Sequence, residues 1–268
     1  MTERKSILIV SFGTSYNDNR EKTIGSIENV IAERFPEWDV RRAFTSKMII
    51  RKLKERDGEC IDYIDEALER LIADGFTEVV VQPTHVMNGI EYDIVKGYVD
   101  KYSERFERIA LGRPLLTTSE DYDDVIEAIR RSMLIESRMV AGDDSAIVLM
   151  GHGTDHDSNA VYSQLQLKLM LSGMDNTFIT TVEGFPDYGD TVKLMRGHGF
   201  RDVVLFPFML VAGDHANNDM AGDDEDTLKS VLSSEGYVVH CILKGLGEYE
   251  EFRELFVKHT DDAMKELR

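Results

Sequence analysis

Hydrophobic and polar positions follow two alternating periods along the chain. Short apolar runs rich in valine and isoleucine, such as residues 7–12 and 78–82, are followed by Gly or Pro, which is typical of buried parallel strands. In longer segments, such as residues 20–35 and 91–105, apolar residues recur every three or four positions and predict helices. The chain is therefore expected to alternate strands with helices.

The other predicted elements continue this alternation. The first half has further strands at residues 39–44 and 108–111 and further helices at residues 61–73 and 120–138. Residues 141–145, with Gly and acidic residues, predict a linker. The second half has strands at residues 146–150, 178–182 and 203–206, and a helix near residues 191–196.

The two halves share a sequence pattern. Residues 75–83 and 199–207 both fit Gly-Phe-x-acid-Val-Val-x-x-Pro, in the same order within two strand–helix series. This indicates an internal duplication. The predicted fold class is α/β with two similar lobes, residues 1–140 and 141–268, each a mostly parallel sheet flanked by helices. Ligands of such sheets bind beyond the carboxyl ends of the strands, so a cleft is expected there.

Composition narrows the function classes. The 268 residues are 42% hydrophobic and 30% charged, as in a globular protein. The net charge of -19 and the absence of an evident dense Lys/Arg cluster argue against nucleic-acid binding. No apolar run approaches the ~20 residues that span a membrane, and the polar start does not fit a secretory signal. Two distant cysteines, Cys60 and Cys241, each in an apolar pattern, predict buried free thiols in a reducing, cytoplasmic setting.

Three side chains with metal-binding chemistry follow strands of the second half. His152 follows residues 146–150, Glu183 follows residues 178–182, and His215 lies in the loop after residues 203–206. Adjacent parallel strands are ~5 Å apart, so these side chains are expected to converge. Two imidazoles and a carboxylate suit Co, Ni, Fe or Zn(II) and leave a coordination position open.

Each of the three residues also has a purely structural interpretation. His152 lies between glycines that would let a helix N-terminus approach the sheet. Glu183 could cap a helix or pair with an arginine, and His215 could begin a helix. Their common position at strand ends favours the metal site.

Five other histidines complete the candidates. His156 lies in the same loop as His152 and is expected to help orient a ligand imidazole. His85 lies in the loop that corresponds to the His215 loop, and is expected to contact ligand from the other half without binding the main metal. His198 and His240 have no evident partner in the sequence, and His259 is expected to be solvated on the last helix.

Two common catalytic motifs are missing. Residues 11–14 and 151–154 lack the lysine of a Walker loop. A Gly-x-Ser-x-Gly nucleophile elbow is also absent from the sequence, which argues against a hydrolase.

The motifs resemble those of the anaerobic sirohydrochlorin cobaltochelatases, ATP-independent chelatases related to the ferrochelatases. The similarity runs through nearly the whole chain and is most specific at residues 11–15, 82–85, 88–92, 151–154, 182–184 and 213–216. The resemblance implies two pseudo-twofold lobes. It also implies that His152, Glu183 and His215 bind the metal.

The activity that the resemblance implies is insertion of Co2+ into sirohydrochlorin, or its methylated precorrin-2 form, with release of two protons. His152 is expected to act as base, since an imidazole titrates near working pH; either its roles alternate in time or another group takes one proton. Ring contacts are expected from Ser11, His85, Met87, Glu91 and Met209. Insertion of Fe2+ or Ni2+, and a carrier without turnover, are the alternatives. A homo-oligomer is left open.

The ring's carboxylates need cations in this anionic chain. Lys47, Arg51 and Lys52, after the second strand, are the nominated partners. The alternative, an ordinary exposed helix face, is favoured by the sequence alone.

Overall fold

The computed structural model describes residues 4–267; residues 1–3 and 268, which include the polar start, lie outside the described part. The strands are β1 Lys5–Ser11, β2 Asp39–Phe44, β3 Glu78–Pro83, β4 Arg108–Leu111, β5 Ala146–Gly151, β6 Thr177–Thr181, β7 Asp202–Pro207 and β8 Val238–Cys241. The helices are α1 Asn17–Arg20, α2 Ser26–Arg34, α3 Lys47–Asp57, α4 Ile64–Ala73, α5 Ile90–Tyr102, α6 Ser119–Arg131, α7 Met133–Ala141, α8 Ala160–Leu171, α9 Tyr188–Met195, α10 Leu228–Ser234 and α11 Glu250–Lys265.

The strands form two four-stranded parallel sheets. Their orders are β2-β1-β3-β4 and β6-β5-β7-β8, so each sheet follows the same topology. Strands β3 and β5 are buried along their whole length, which explains their continuous apolar runs. The predicted α/β class with two similar parallel sheets is confirmed.

The chain divides into two compact units at positions that differ from the predicted 140/141 boundary. The first unit runs to Thr117 and resumes at Phe252, and the second covers Thr118–Glu251. Helices α6 and α7 pack in the second unit, on α8 and β7 respectively. Helix α11 belongs to the first unit, where Arg113 forms an ion pair with Asp262 at 2.9 Å.

His259 on α11 is buried, and its Nδ1 lies 3.2 Å from the Arg113 carbonyl oxygen. The expectation that His259 is solvated was wrong. The sequence period placed the histidine on a helix, but the side of α11 that packs inward depends on tertiary contacts.

Both cysteines are free, but Cys60 is exposed and Cys241 is half-buried. The expectation that both thiols are buried was therefore wrong, because an apolar sequence pattern does not determine which side chains the tertiary packing covers.

Two predicted helices are interrupted. The segment at residues 20–35 consists of the end of α1, a π-helical turn at Glu21–Gly25, and α2. The segment at residues 120–138 divides at Ser132, whose hydroxyl donates to the Ala128 carbonyl at 2.6 Å. Such a bond competes with the helical backbone pattern. No helix within residues 4–267 is long and apolar enough to cross a membrane.

A buried acid joins three strands of the first unit. Glu78 on β3 is aligned with Lys5 on β1 and with Arg108 on β4. Its carboxylate lies 3.4 Å from Lys5 Nζ and also forms an ion pair with Arg108, and its side chain is 3% exposed. A buried carboxylate with two cationic partners fixes the register of β1, β3 and β4.

We expect Glu78→Ala to lower the free energy of unfolding by about 1–3 kcal/mol, because two cations then lose their partner beside the sheet. Glu107→Ala, which removes an exposed acid just before β4, is the matched control and should change stability by no more than ~0.5 kcal/mol. Chemical denaturation measures both. Equal effects of the two substitutions would contradict a structural role for the Glu78 ion pairs.

Candidate functional site

The candidate site of the second unit is built on the carboxyl ends of β5, β6 and β7. Strand β5 lies between the other two. Hydrogen bonding continues past the strands, since the Glu183 amide donates to the His152 carbonyl at 2.8 Å. The Phe208 amide donates to the Met150 carbonyl at 2.7 Å. These bonds hold the strand-end loops side by side.

Gly153 permits the close approach of two of these loops. It has a φ of +81°, and a Cβ there would lie 2.7 Å from the Glu183 carbonyl carbon and 2.8 Å from the Gly184 nitrogen. A side chain at 153 would therefore force the His152 and Glu183 loops apart. The Gly153 amide donates to the buried Tyr162 hydroxyl at 3.4 Å, which fixes the loop from below.

The two predicted imidazole ligands are neighbours. The rings of His152 and His215 have centroids 4.5 Å apart and are nearly perpendicular, at 87°. His152 Nδ1 lies 2.8 Å from the Gly153 carbonyl oxygen, and His215 Nδ1 lies 2.8 Å from Asp219 Oδ2. Both acceptors require a hydrogen on Nδ1, so both Nε2 atoms keep a lone pair for a metal ion.

Glu183 lies beside this pair but is not yet in a coordinating position. Its Oε2 is 4.0 Å from His152 Nδ1, and its side chain is 62% exposed. As the side chains stand, no group of three His, Cys, Asp or Glu residues in the described part of the chain is placed to hold a metal ion. The exposed glutamate can change rotamer without disturbing the core.

Asp219 is the residue at this site that the sequence did not identify. Its carboxylate fixes the orientation of His215, and its own carbonyl oxygen accepts a hydrogen bond from the Tyr188 hydroxyl at 3.4 Å. Asp219 lies in a π-helical turn, Ala216–Met220, directly after His215. The spacing of four residues between the histidine and the aspartate was the available signal, since such residues face each other on a helix.

The predicted ring contacts of the first unit have different surroundings. Ser11 is buried, and its hydroxyl is 2.7 Å from the Thr84 hydroxyl, so it is engaged within the unit. Both ring nitrogens of His85 are shielded from solvent and have no hydrogen-bond partner among residues 4–267. Burial lowers the pKa of His85 to about 4, so the imidazole is neutral. Glu91 Oε2 is likewise shielded and lacks a hydrogen-bond partner in the described residues.

The two predicted methionine contacts are half-buried. Met87 forms a parallel bridge with Leu116. Met209 packs against the core of the second unit, and its carbonyl accepts a hydrogen bond from the Leu246 amide at 2.9 Å. Both methionines lie in strand-end loops, as predicted, but part of each contacts its own unit.

Two further histidines have partners that the sequence did not reveal. His240 Nε2 lies 3.0 Å from Asp202 Oδ1, on the neighbouring strand. His198 stacks on the Phe200 ring, with 5.5 Å between centroids. These contacts account for both residues without a ligand.

The fold resembles solved chelatase structures. SirB from Bacillus subtilis with Fe3+ matches with a TM-score of 0.65 at 14% identity, over 97% of this chain and 95% of the other. The sirohydrochlorin chelatase SirB from Bacillus subtilis subspecies spizizenii, in complex with cobalt, matches with a TM-score of 0.58 at 14% identity, over 98% of this chain and 96% of the other. At this identity the likeness establishes the fold.

Sequence comparison establishes the family. The chain is 40% identical over 261 residues to the sirohydrochlorin cobaltochelatase of Salmonella typhimurium, covering 97% of each chain. It is 31% identical over 268 residues to the sirohydrochlorin cobaltochelatase CbiKC of Nitratidesulfovibrio vulgaris, covering 98% of this chain and 92% of the other. The model of the cobalt chelatase (CbiK) family matches residues 5–265. The chain therefore belongs to the cobalt chelatase (CbiK) family.

Proposed function

We propose that the protein is a sirohydrochlorin cobaltochelatase, which inserts Co2+ into the metal-free ring and releases two protons. The observation that carries the proposal is the His152–His215 pair, whose Nδ1 atoms both point at acceptors and leave both Nε2 atoms open. The names of the two relatives support the same substrate and metal.

Binding of the metal is assigned to His152, Glu183 and His215. The two Nε2 atoms and the Glu183 carboxylate form a mixed nitrogen and oxygen donor set, which suits a divalent first-row metal. Three protein donors leave coordination positions for water or for the pyrrole nitrogens of the ring. The exposed side chain of Glu183 lies beside His152, and we assign it the third position on metal binding.

The protons of the reaction are assigned to the same imidazoles. Two pyrrole N–H protons leave the ring as the ion enters. While an Nε2 atom holds the metal it has no lone pair for a proton, so the two roles alternate in time. When the bond from His152 to the metal breaks, its Nε2 becomes a base and accepts a pyrrole proton. His215 Nε2 is freed from the metal in the same step and accepts the second pyrrole proton.

Cobalt is the proposed ion because both relatives are named for it. The donor set itself does not distinguish Co2+ from Fe2+ or Ni2+, since affinity for such sites follows a general order and cellular supply decides occupancy. Cytoplasmic location and the absence of membrane and nucleic-acid partners stay predictions, as does a homo-oligomer.

A tetrapyrrole or metal carrier without turnover is the alternative of another class. A tetrapyrrole carrier needs a binding surface but no metal-binding pair of imidazoles, and no carrier needs a base in addition to its metal ligands. The pair therefore favours the chelatase.

Substitution of either imidazole separates binding from insertion. We expect His215→Ala and His152→Ala to slow Co2+ insertion at least ~100-fold, because each removes a donor and a proton acceptor. Affinity for the metal-free ring should change less than about threefold. Absorption spectra of sirohydrochlorin measure both quantities. Catalysed insertion at the wild-type rate in either variant would contradict the assignment, and a wild-type protein that binds the ring but never exceeds the uncatalysed rate would establish the carrier.

Asp219 is expected to act as a positioning residue for His215. Asp219→Asn removes the negative charge at nearly constant size, and outer carboxylates of this kind typically account for 10–100-fold in metal affinity or activity. We expect the KM for Co2+ to rise about tenfold or more while affinity for the metal-free ring stays constant.

The matched control is Asp202→Asn, which alters the other His–Asp pair of the same unit, His240–Asp202. Its KM for Co2+ should equal that of the wild type. Equal metal kinetics in the Asp219 and Asp202 variants would show that the Asp219 contact has no role in metal binding.

We expect the substitution His85→Leu to change the stability of the protein and its affinity for the ring in opposite directions. Its unpartnered nitrogens cost free energy in the folded protein, so His85→Leu should leave the melting temperature unchanged or raise it. If a His85 nitrogen forms a hydrogen bond with the ring, its loss weakens ring binding by about tenfold. Thermal unfolding and ring titration test this together; a lower melting temperature with unchanged ring affinity would assign His85 to the structure alone.

A further inference from the structure

The cations of this acidic protein are distributed unevenly. Elsewhere in the first unit many of them face a carboxylate at short range, as in the ion pairs Arg42–Glu28 and Arg70–Asp62. Residues 47–54 differ, because they contain Lys47, Arg51, Lys52 and Lys54 and no acidic residue. All four are exposed, and none forms an ion pair with a carboxylate in the described part of the chain.

The helix places these cations in a row. Lys47, Arg51 and Lys54 are spaced by four and three residues, which puts them on one side of α3. Lys52 follows Met48 by four residues, so these two side chains lie together on the adjoining strip of the helix. Ile49 and Leu53 face the core on the other side. Lys47 Nζ lies 4.5 Å from the centroid of the Tyr63 ring, and the Ser46 hydroxyl caps the helix by accepting from the Ile49 amide at 3.4 Å. The start of the row is thus held in place.

Exposed apolar side chains adjoin this row. Met48 is 66% exposed on the first turn of α3, and Phe12 is 46% exposed directly after β1. The Phe12 carbonyl accepts a hydrogen bond from the Ser46 amide at 3.3 Å, so the Phe12 loop touches the start of the helix. Both segments follow the carboxyl ends of adjacent parallel strands, β1 and β2, where ligands of such sheets bind.

We propose that this surface, formed by Phe12, Lys47, Met48, Arg51 and Lys52, is the subsite that binds the carboxylated rim of the tetrapyrrole. Lys47, Arg51 and Lys52 pair with acid side chains of the ring, and Phe12 and Met48 contact its apolar edge. The assignment rests on the proposed function, since it takes the substrate to be a ring that carries several carboxylates. It also resolves the electrostatic difficulty of the reaction, because a cationic surface attracts a polyanion that a net charge of -19 would otherwise repel.

An anionic membrane is the other ligand that cations with exposed Phe and Met side chains suggest. Attraction of such cations to an anionic membrane falls off within a Debye length of the lipid surface, and the remaining negative surface of this chain opposes a close approach. A compact polyanion is favoured over a membrane because it is small enough to contact the α3 cations without approaching the negative surface of the rest of the chain.

The test compares two triple variants of the full chain with equal changes of charge. The first is Lys47→Gln/Arg51→Gln/Lys52→Gln. The control is Lys22→Gln/Arg201→Gln/Lys193→Gln, which removes exposed cations from other elements. We expect the first variant to raise the KM for sirohydrochlorin about tenfold and to weaken its dependence on salt, with kcat and the KM for Co2+ unchanged. The control variant should match the wild type.

The measurements distinguish failure of the ring subsite from failure of the proposed function. If the wild type inserts cobalt and both variants show the same KM for the ring, the subsite is wrong and the proposed function stands. If the wild type inserts no cobalt, the proposed function fails first. Co-sedimentation with phosphatidylserine vesicles that is lost only in the first variant, with ring binding unchanged, would overturn the subsite in favour of a membrane surface. Ring affinity measured by absorption titration applies even to a variant with low turnover.

Discussion

The hydrogen bond from the Glu183 amide to the His152 carbonyl is the contact on which the candidate metal site depends. It extends the pairing of β5 and β6 past their last residues, so a histidine and a glutamate lie side by side. The approach is possible only because residue 153 has no side chain. Strand β7 lies on the other side of β5, and the loop that follows β7 carries His215 to the same end of the sheet. Backbone geometry thus gathers donors that are far apart in sequence.

The same topology carries different side chains at the strand ends of the two units. At the strand ends of the second unit, hydrogen bonds fix the Nδ1 atoms and leave metal-binding lone pairs open. At the strand ends of the first unit, the structure leaves exposed cations on α3 and unpartnered polar atoms on His85 and Glu91. The two sheets therefore share one strand order, whereas the loops at their strand ends differ in their side chains.

The sequence predicted seven of the eight strands described, all but β8 Val238–Cys241, and it predicted the position of three candidate donors at strand ends, because both follow from short-range patterns. A continuous apolar run marks a buried strand, and a parallel sheet brings the residues after neighbouring strands together. The convergence of His152 and His215 is confirmed by the geometry, whereas metal binding by the three residues stays a prediction. The resemblance to the chelatase family is confirmed by the comparisons.

Features set by side-chain orientation or by distant packing were not predicted. The Asp219 contact depends on the rotamer of His215 within a π-helical turn, and the burial of His259 depends on where α11 docks. The unit boundary falls at Thr117 and Thr118 because α6 and α7 pack on the second sheet. The α3 cations Lys47, Arg51 and Lys52 were nominated from the sequence, but their lack of carboxylate partners in the described residues depends on tertiary contacts.

X-ray absorption at the cobalt edge, on wild-type protein loaded with one equivalent of Co2+, tests the central claim most directly. We expect the cobalt ion to have a first coordination shell of nitrogen and oxygen donors, with the multiple-scattering signal of two imidazoles. One imidazole should be lost in His215→Ala and one in His152→Ala. A first shell that contains sulfur, or a shell that neither substitution changes, would contradict the assignment of the metal to His152, Glu183 and His215.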